Sequence, residues 1–181
     1  MTARDHVIAV FGSSRAVPGD GVYEQGIECG RLLAEAGLGV VTGGYAGLME
    51  AVSRGAADVG GHVVGVTVPE VFPGRSGANP WVGEEMQAAH LVERIHHLTD
   101  ITAGSIALPG SIGTLTELAM AWNLASVARF DGSVLKPVVT VGATWRDLVT
   151  HLTDLLDIEA LVTCVDDVPG AVEEIVASIA G

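Results

Sequence analysis

The chain has 181 residues, 49% of them hydrophobic and 17% charged, and a formal net charge of -13. That length suits one compact α/β domain, which would remove roughly 70% of its unfolded surface from water, and it leaves no room for a second domain. No Lys/Arg cluster offsets the negative charge, which argues against a nucleic acid or an anionic membrane as partner, so a phosphate would have to be met locally.

Val7 to Phe11 reads as the first strand; it is too short for the apolar core of a secretion signal and runs at once into the turn Gly12-Ser13-Ser14. No run approaches the ~20 apolar residues of a membrane span. Cys29 and Cys164 lack metal or CxxC spacing and read as small buried side chains of a reducing compartment, so the expected location is cytoplasmic. A helix is expected from about Val22 to Ala36 with Gly37 as its C-cap, then a buried strand Gly39 to Thr42 ending in Gly43-Gly44. The next helix, about Gly47 to Val59, ends at Gly60-Gly61, and the strand His62 to Val68 is closed by Pro69. Glu70 to Gly83 is the longest irregular stretch and reads equally as a lid or binding edge and as a mobile surface loop. Glu84 to Asp100 reads as one helix carrying Met86, Leu91, Arg94, Ile95 and Leu98. Ser105 to Leu108 is a short apolar strand stopped by Pro109, after which Leu115, Leu118, Ala119, Trp122 and Ala125 recur at helical spacing. A turn at Asp131-Gly132-Ser133 leads to a strand Pro137 to Val141 and a helix from about Trp145 to Leu156 with Thr144 as N-cap. A short strand near Leu161 to Val165 and a terminal helix Ala171 to Ile179 complete the chain. This alternation predicts an α/β fold: a three-layer, Rossmann-like doubly wound sheet, mainly parallel, with helices on both faces.

In such a sheet a ligand binds outside the carboxyl ends of the strands, where the strand order reverses. Three glycine-bearing exits belong there: Gly12-Ser13-Ser14, Gly43-Gly44 through Gly47, and Pro109-Gly110-Ser111 through Gly113-Thr114. Helix starts offer unpaired N–H donors and a dipole worth about 0.3–1 kcal/mol per charge, so the set reads as a phosphate cradle, although any one turn alone reads as packing. Thr42 occupies the first glycine of a GxGxxG frame ending at Gly47, and no Walker A sequence occurs, so neither dinucleotide nor P-loop chemistry is indicated. Thr114 and Glu117 have the spacing of a capping box, which by itself makes Glu117 a helix cap. Arg94 by itself reads as a salt-bridge partner of Glu93 or Asp100. Glu50 reads equally as a ribose contact or as part of a solvated helix face. His96 and His97 point about 100° apart on a helix, and neither is assigned a role. No metal spacing is present.

Pro109-Gly110-Ser111-Ile112-Gly113-Thr114-Leu115-Thr116-Glu117 resembles the PGGxGTxxE motif of the LOG ("lonely guy") family, cytokinin-activating phosphoribohydrolases once labelled lysine decarboxylases. Gly43 to Glu50 resembles the family's GGGxxGLM turn, and Glu93-Arg94, with the arginine fifteen residues before Pro109, stands where the family has Glu-Arg-Lys. Ser111 replaces the second glycine and Ile95 the lysine. If position 111 requires a left-handed backbone, serine there costs about 1–2 kcal/mol. The resemblance covers about Val7 to Trp145. It implies hydrolysis of the N-glycosidic bond of a nucleoside 5′-monophosphate, of cytokinin type or AMP, with Arg94 and Glu117 as catalytic residues and no cofactor or metal. It also implies a homodimer with the site near the subunit interface, to which side chains such as Met120 and Trp122 would contribute. A reading from another class stays beside it: a carrier that holds a phosphorylated ligand without turnover, like the related molybdenum-cofactor carriers. The old label does not fit the residues, since pyridoxal-phosphate chemistry needs a Schiff-base lysine. The one lysine, Lys136, precedes Pro137 at the start of a strand, at the opposite end of the sheet from the glycine turns.

Overall fold

A computed structural model describes residues 6–72, 74 and 77–180. In chain order the elements are β1 (Val7–Phe11), α1 (Gly21–Glu35), β2 (Gly39–Thr42), α2 (Leu48–Ala57), β3 (Val63–Thr67), β4 (Glu84–Gln87), α3 (Leu91–Asp100), β5 (Gly104–Ala107), α4 (Ile112–Asp131), β6 (Val138–Val141), α5 (Ala143–Leu156), β7 (Thr163–Val165) and α6 (Val168–Ala180). The strands form one sheet in the order β4-β3-β2-β1-β5-β6-β7, and every pairing is parallel.

Side chains alternate across each strand, so β1 sends Ile8 and Val10 to one face and Val7, Ala9 and Phe11 to the other. The first face is covered by α1, α2 and α6 through Tyr23, Leu33, Leu48, Val52, Val172 and Ile175. The second is covered by α3, α4 and α5 through Leu98, Leu118, Trp122, Ala125, Trp145 and Val149. These are the three layers expected of strands that are apolar on both sides. Gly30 lets α1 and α2 cross closely, since a Cβ there would run into the Val52 carbonyl oxygen. The chain builds outward from β1 through β2 and β3 to β4, then returns to lay β5 on the other side of β1. The reversal lies between β1 and β5.

Three local expectations change. Glu84 to Gln87 is not the start of a helix but a short edge strand, with Val64 opposite Glu84 and Thr67 opposite Gln87. The open edge of β3 supplies backbone partners that outweigh the low strand preference of Glu-Glu-Met-Gln, and the exposed glutamates blunt the new edge. The helix begins at Leu91, capped by His90, whose Nδ1 accepts from Glu93 N at 3.1 Å while Glu93 Oε2 accepts from Ala89 N at 2.6 Å. At α5 the N-cap is Gly142, with φ 97°, rather than Thr144. Cys29 is buried as expected, whereas Cys164 is only half-buried; both are free. Within the Glu70 to Gly83 stretch, Pro73, Arg75 and Ser76 lie outside the described residues. Among the described residues no helix is long and apolar enough to cross a membrane.

Candidate active site

The three glycine-bearing exits meet at the reversal and are tied together by their backbones. Leu108 N donates to Phe11 O, Ser13 N to Pro109 O, and Leu48 N to Ser13 O, at 2.9, 3.2 and 2.9 Å. Gly47 has φ 78°, and a Cβ on it would stand 2.6 Å from Ser13 O, so only glycine lets the second exit rest on the first. Ser13, Pro109 and Gly47 therefore shape the crevice rather than line it. Gly110 packs on Thr114, where a Cβ would strike the threonine hydroxyl.

The start of α4 differs from the sequence expectation. Ser111 is the N-cap, and its N–H donates to Thr114 Oγ1 at 3.4 Å, so the capping-box pair is Ser111 and Thr114. Glu117 lies three residues further into the helix and is released from any capping role. Ser111 itself has φ -127° and ψ -159°, an extended conformation open to any residue, so replacing glycine by serine costs no backbone strain. Ser111, Gly113 and Thr114 line the crevice at the helix start, where first-turn amides lack intrahelical acceptors and that of Thr114 is met by the Ser111 side chain, and Gly113 has open space where a side chain would project.

A cavity of about 170 Å³ occupies this point. Its walls are Val10 and Phe11 at the end of β1, Gly12 and Ser14 beyond it, Gly43 and Met49 after β2, Phe72 after β3, Arg94 from α3, and Ser111, Gly113, Thr114 and Glu117 from the start of α4. A larger cavity of about 370 Å³ opens between α3 and α4 at the other end of the sheet, far from the glycine turns. Lys136 lines that second cavity, with Nζ donating to Thr99 O and Asp100 O at 2.9 and 2.7 Å.

Arg94 is buried, and it pairs with Glu117 rather than with Glu93 or Asp100. Its Nε donates to Val66 O at 2.8 Å, Nη2 lies 3.6 Å from Met49 Sδ, and Nη1 donates to Glu117 Oε1 at 3.5 Å. The guanidinium carbon stands 5.9 Å from the centre of the Tyr45 ring, whose hydroxyl accepts from Val68 N at 2.7 Å. Gly43 makes room for this path, because a Cβ on it would collide with Arg94 Nη2. The Arg94 and Glu117 side chains are 11% and 14% exposed. Burial pushes the Glu117 carboxyl up to about 7, against the lowering pull of Arg94. A carboxyl that titrates near neutrality can take up or release a proton at working pH, which suits acid–base chemistry.

Of the residues expected at the site, Gly12, Ser14, Gly43, Arg94, Ser111, Gly113, Thr114 and Glu117 line the cavity. Ser13, Gly44, Gly47, Pro109 and Gly110 stand behind it as supports. Glu50 turns away toward α1 and accepts from the Tyr23 hydroxyl at 2.8 Å. Ile95 is half-buried and outside the lining. Sequence reasoning missed Met49 and Phe72 as lining residues and Tyr45 as the surface under Arg94. Met49 stood in the glycine-turn motif and Phe72 in the long irregular stretch, so both signals were present.

Fold and cavity together define a Rossmann-like α/β protein with a small-ligand cleft at its topological switch point. The chain belongs to the SLOG cluster4 family, whose model matches residues 5–129, and through the following relatives to the LOG family. It is 30% identical over 155 residues to cytokinin riboside 5'-monophosphate phosphoribohydrolase LOG7 of Arabidopsis thaliana, covering 83% of this chain and 68% of that one. It is 31% identical over 138 residues to the cytokinin riboside 5'-monophosphate phosphoribohydrolase of Mycobacterium tuberculosis, covering 76% of this chain and 71% of that one. To the LOG protein of rice it is 39% identical over 93 residues, which span 51% of this chain and only 38% of the rice protein. Among solved structures, the molybdenum cofactor carrier protein of Chlamydomonas reinhardtii superposes with a TM-score of 0.76 at 24% identity over 97% of this chain and 99% of that one. The molybdenum cofactor binding protein of Rippkaea orientalis gives 0.76 at 22%, over 96% and 97%. These two likenesses speak to the fold.

Proposed function

We propose that the protein is a phosphoribohydrolase that cleaves the N-glycosidic bond of a nucleoside 5′-monophosphate, of cytokinin type or AMP, to free base and ribose 5-phosphate. The observation that carries this is the buried Arg94–Glu117 pair, which faces the same cavity as the open first turn of α4. The 5′-phosphate rests on that turn, at Ser111, Gly113 and Thr114, with Gly12 and Ser14 opposite; the N–H groups and the helix dipole supply what the chain's net charge lacks. Glu117 lies about 7 Å further along the axis than Ile112, within reach of the ribose. As the C1′–N bond breaks, its electron pair leaves with the base, which takes a proton from solvent. The anionic carboxylate of Glu117 stabilises the ribosyl cation and accepts the proton lost by the attacking water. Arg94 holds Glu117 and orients the anionic substrate.

No metal or redox cofactor enters this scheme. A homodimer joined through α3 and α4 is supported by the exposed apolar side chains on the outer face of α4, Met120, Leu124 and Val127. Trp122, expected to share that role, is instead buried against the sheet. A cytoplasmic location fits the two free cysteines. The test is incubation of the protein with a panel of nucleoside 5′-monophosphates and chromatographic detection of free base. Release from at least one member is expected; tight binding without release from any would favour a carrier for a phosphorylated ligand.

A further inference from the structure

Arg94 is aimed at Glu117 by a surface that it does not itself supply. Residues 43–47 pass beneath the guanidinium, giving it Gly43 as clearance and the Tyr45 ring as a floor. Gly44 sits at φ 74°, and a Cβ on it would stand 2.9 Å from Thr67 Cγ2, so this turn has one tolerated path and must be held on it. One hold is local, Gly44 N donating to Thr42 Oγ1 at 3.1 Å, and a second comes from the end of β3, where Val68 N donates to the Tyr45 hydroxyl at 2.7 Å. The third comes from the far end of the irregular stretch. Asn79 Nδ2 donates to Gly44 O and to Tyr45 O, both at 3.1 Å, and Asn79 N donates to Gly44 O at 2.7 Å. The amide oxygen is fixed in turn by Trp81 N at 3.2 Å, which orients the side chain with its donors toward the turn. Asn79 thus bonds the carbonyls of two successive turn residues. Removing the side chain leaves Gly44 O its backbone donor from Asn79 N but takes the Nδ2 bonds from Gly44 O and Tyr45 O, so the turn is held less tightly at Tyr45.

We propose that Asn79 is a positioning residue for Arg94: by holding the Gly44 and Tyr45 carbonyls it fixes the turn under the guanidinium and keeps Arg94 on the Glu117 carboxylate. Asn79 lines neither the cavity nor the pair; besides the turn, its Nδ2 reaches only Ser53 Oγ of α2, at 3.4 Å, among the described residues, so its effect on Arg94 passes through its neighbours. The charged groups that line the cavity among the described residues are Arg94 of α3 and Glu117 of α4. The exits of β1, β2 and β3 contribute Gly12, Ser14, Gly43, Met49 and Phe72, none of which titrates near neutrality. The ionisation of Glu117 is therefore a local gauge of where Arg94 stands, and it can be read without any substrate.

The experiment follows the side-chain carboxyl carbon of Glu117 by NMR across pH, with the resonance assigned by its loss in Glu117→Gln. In Asn79→Ala the midpoint should move upward from about 7, because Arg94 is the group that holds it down against burial. Asn79→Ser, which keeps one donor, should move it less. A Glu117 midpoint unchanged from wild type in whichever of these variants folds would overturn the proposal, since loosened structure alone lowers the melting temperature without touching that titration. The kinetic arm rests on the hydrolase reading: kcat/KM for base release should fall roughly tenfold in Asn79→Ala, through kcat and KM together, because Arg94 serves both turnover and binding. If the wild-type protein releases no base, the hydrolase reading fails, and the titration still decides the role of Asn79.

Discussion

Glu117→Gln separates the carboxylate's chemistry from its cost to the fold. Glutamine keeps the size of the side chain and stays neutral at every pH. The Glu117 carboxyl is raised from 4.5 to about 7 in the folded protein, so between those values the native state keeps a proton that the unfolded chain has lost. Wild-type stability contributed by this group is then full below pH 4.5 and is lost as the pH rises to about 7. At 1.36 kcal/mol per unit the loss reaches at most about 3 kcal/mol, with the attraction of Arg94 already included. Glu117→Gln should thus match wild type near pH 4.5 and become the more stable protein above pH 7, by no more than roughly 6–12 °C in Tm. Denaturant melts of both proteins at four or five pH values measure this directly. Turnover should move the other way, falling about 10²–10³-fold, the usual cost of removing one preorganised electrostatic group. Wild-type activity, which needs the anion, should rise with pH through about 7. A variant less stable than wild type at pH 8 would show that Arg94 outweighs burial and that Glu117 is an ordinary ion-pair carboxylate. Undiminished base release would remove Glu117 from the chemistry.

Gly43→Ala should cost about 100-fold in kcat/KM and little stability, because the new methyl displaces the end of a flexible Arg94 side chain rather than backbone; steady-state kinetics beside a thermal melt check both. Arg94→Ala should lose nucleotide binding as well as turnover and raise the Glu117 midpoint, readable by calorimetry and NMR. Light scattering at micromolar concentration should give twice the mass of one chain, and Leu124→Glu, on the exposed face of α4, should shift it toward a single chain; a wild-type monomer would refute the dimer. Pyridoxal phosphate should give no imine absorbance band, since Lys136 Nζ is engaged by two carbonyls at the far end of the sheet; a band abolished by Lys136→Ala would overturn that.

Most of the frame was legible in the sequence, for a physical reason. Strands buried on both faces must be short apolar runs, and the chain marks their ends with glycine and proline, so β1, β2, β3, β5 and β6 could be placed within a residue or so. The motif around Pro109 located the exit that matters and named Glu117, and its spacing to Arg94 named the second partner. What the sequence could not decide was anything set by a neighbour distant along the chain. Glu84 to Gln87 became a strand because β3 had an open edge, a fact invisible in four polar residues. Glu117 left the capping role because Ser111, one residue after Gly110, took the N-cap and drew Thr114 to itself. Its carboxyl then fell into a cavity where burial, not local sequence, sets its ionisation. The meeting of Arg94 with Glu117, and the support of Arg94 by Asn79 through the turn at residues 43–47, exist only once the strands are side by side. Local patterning chooses elements because it acts through adjacent residues; desolvation and polar pairing act through space, and the tertiary structure alone decides them.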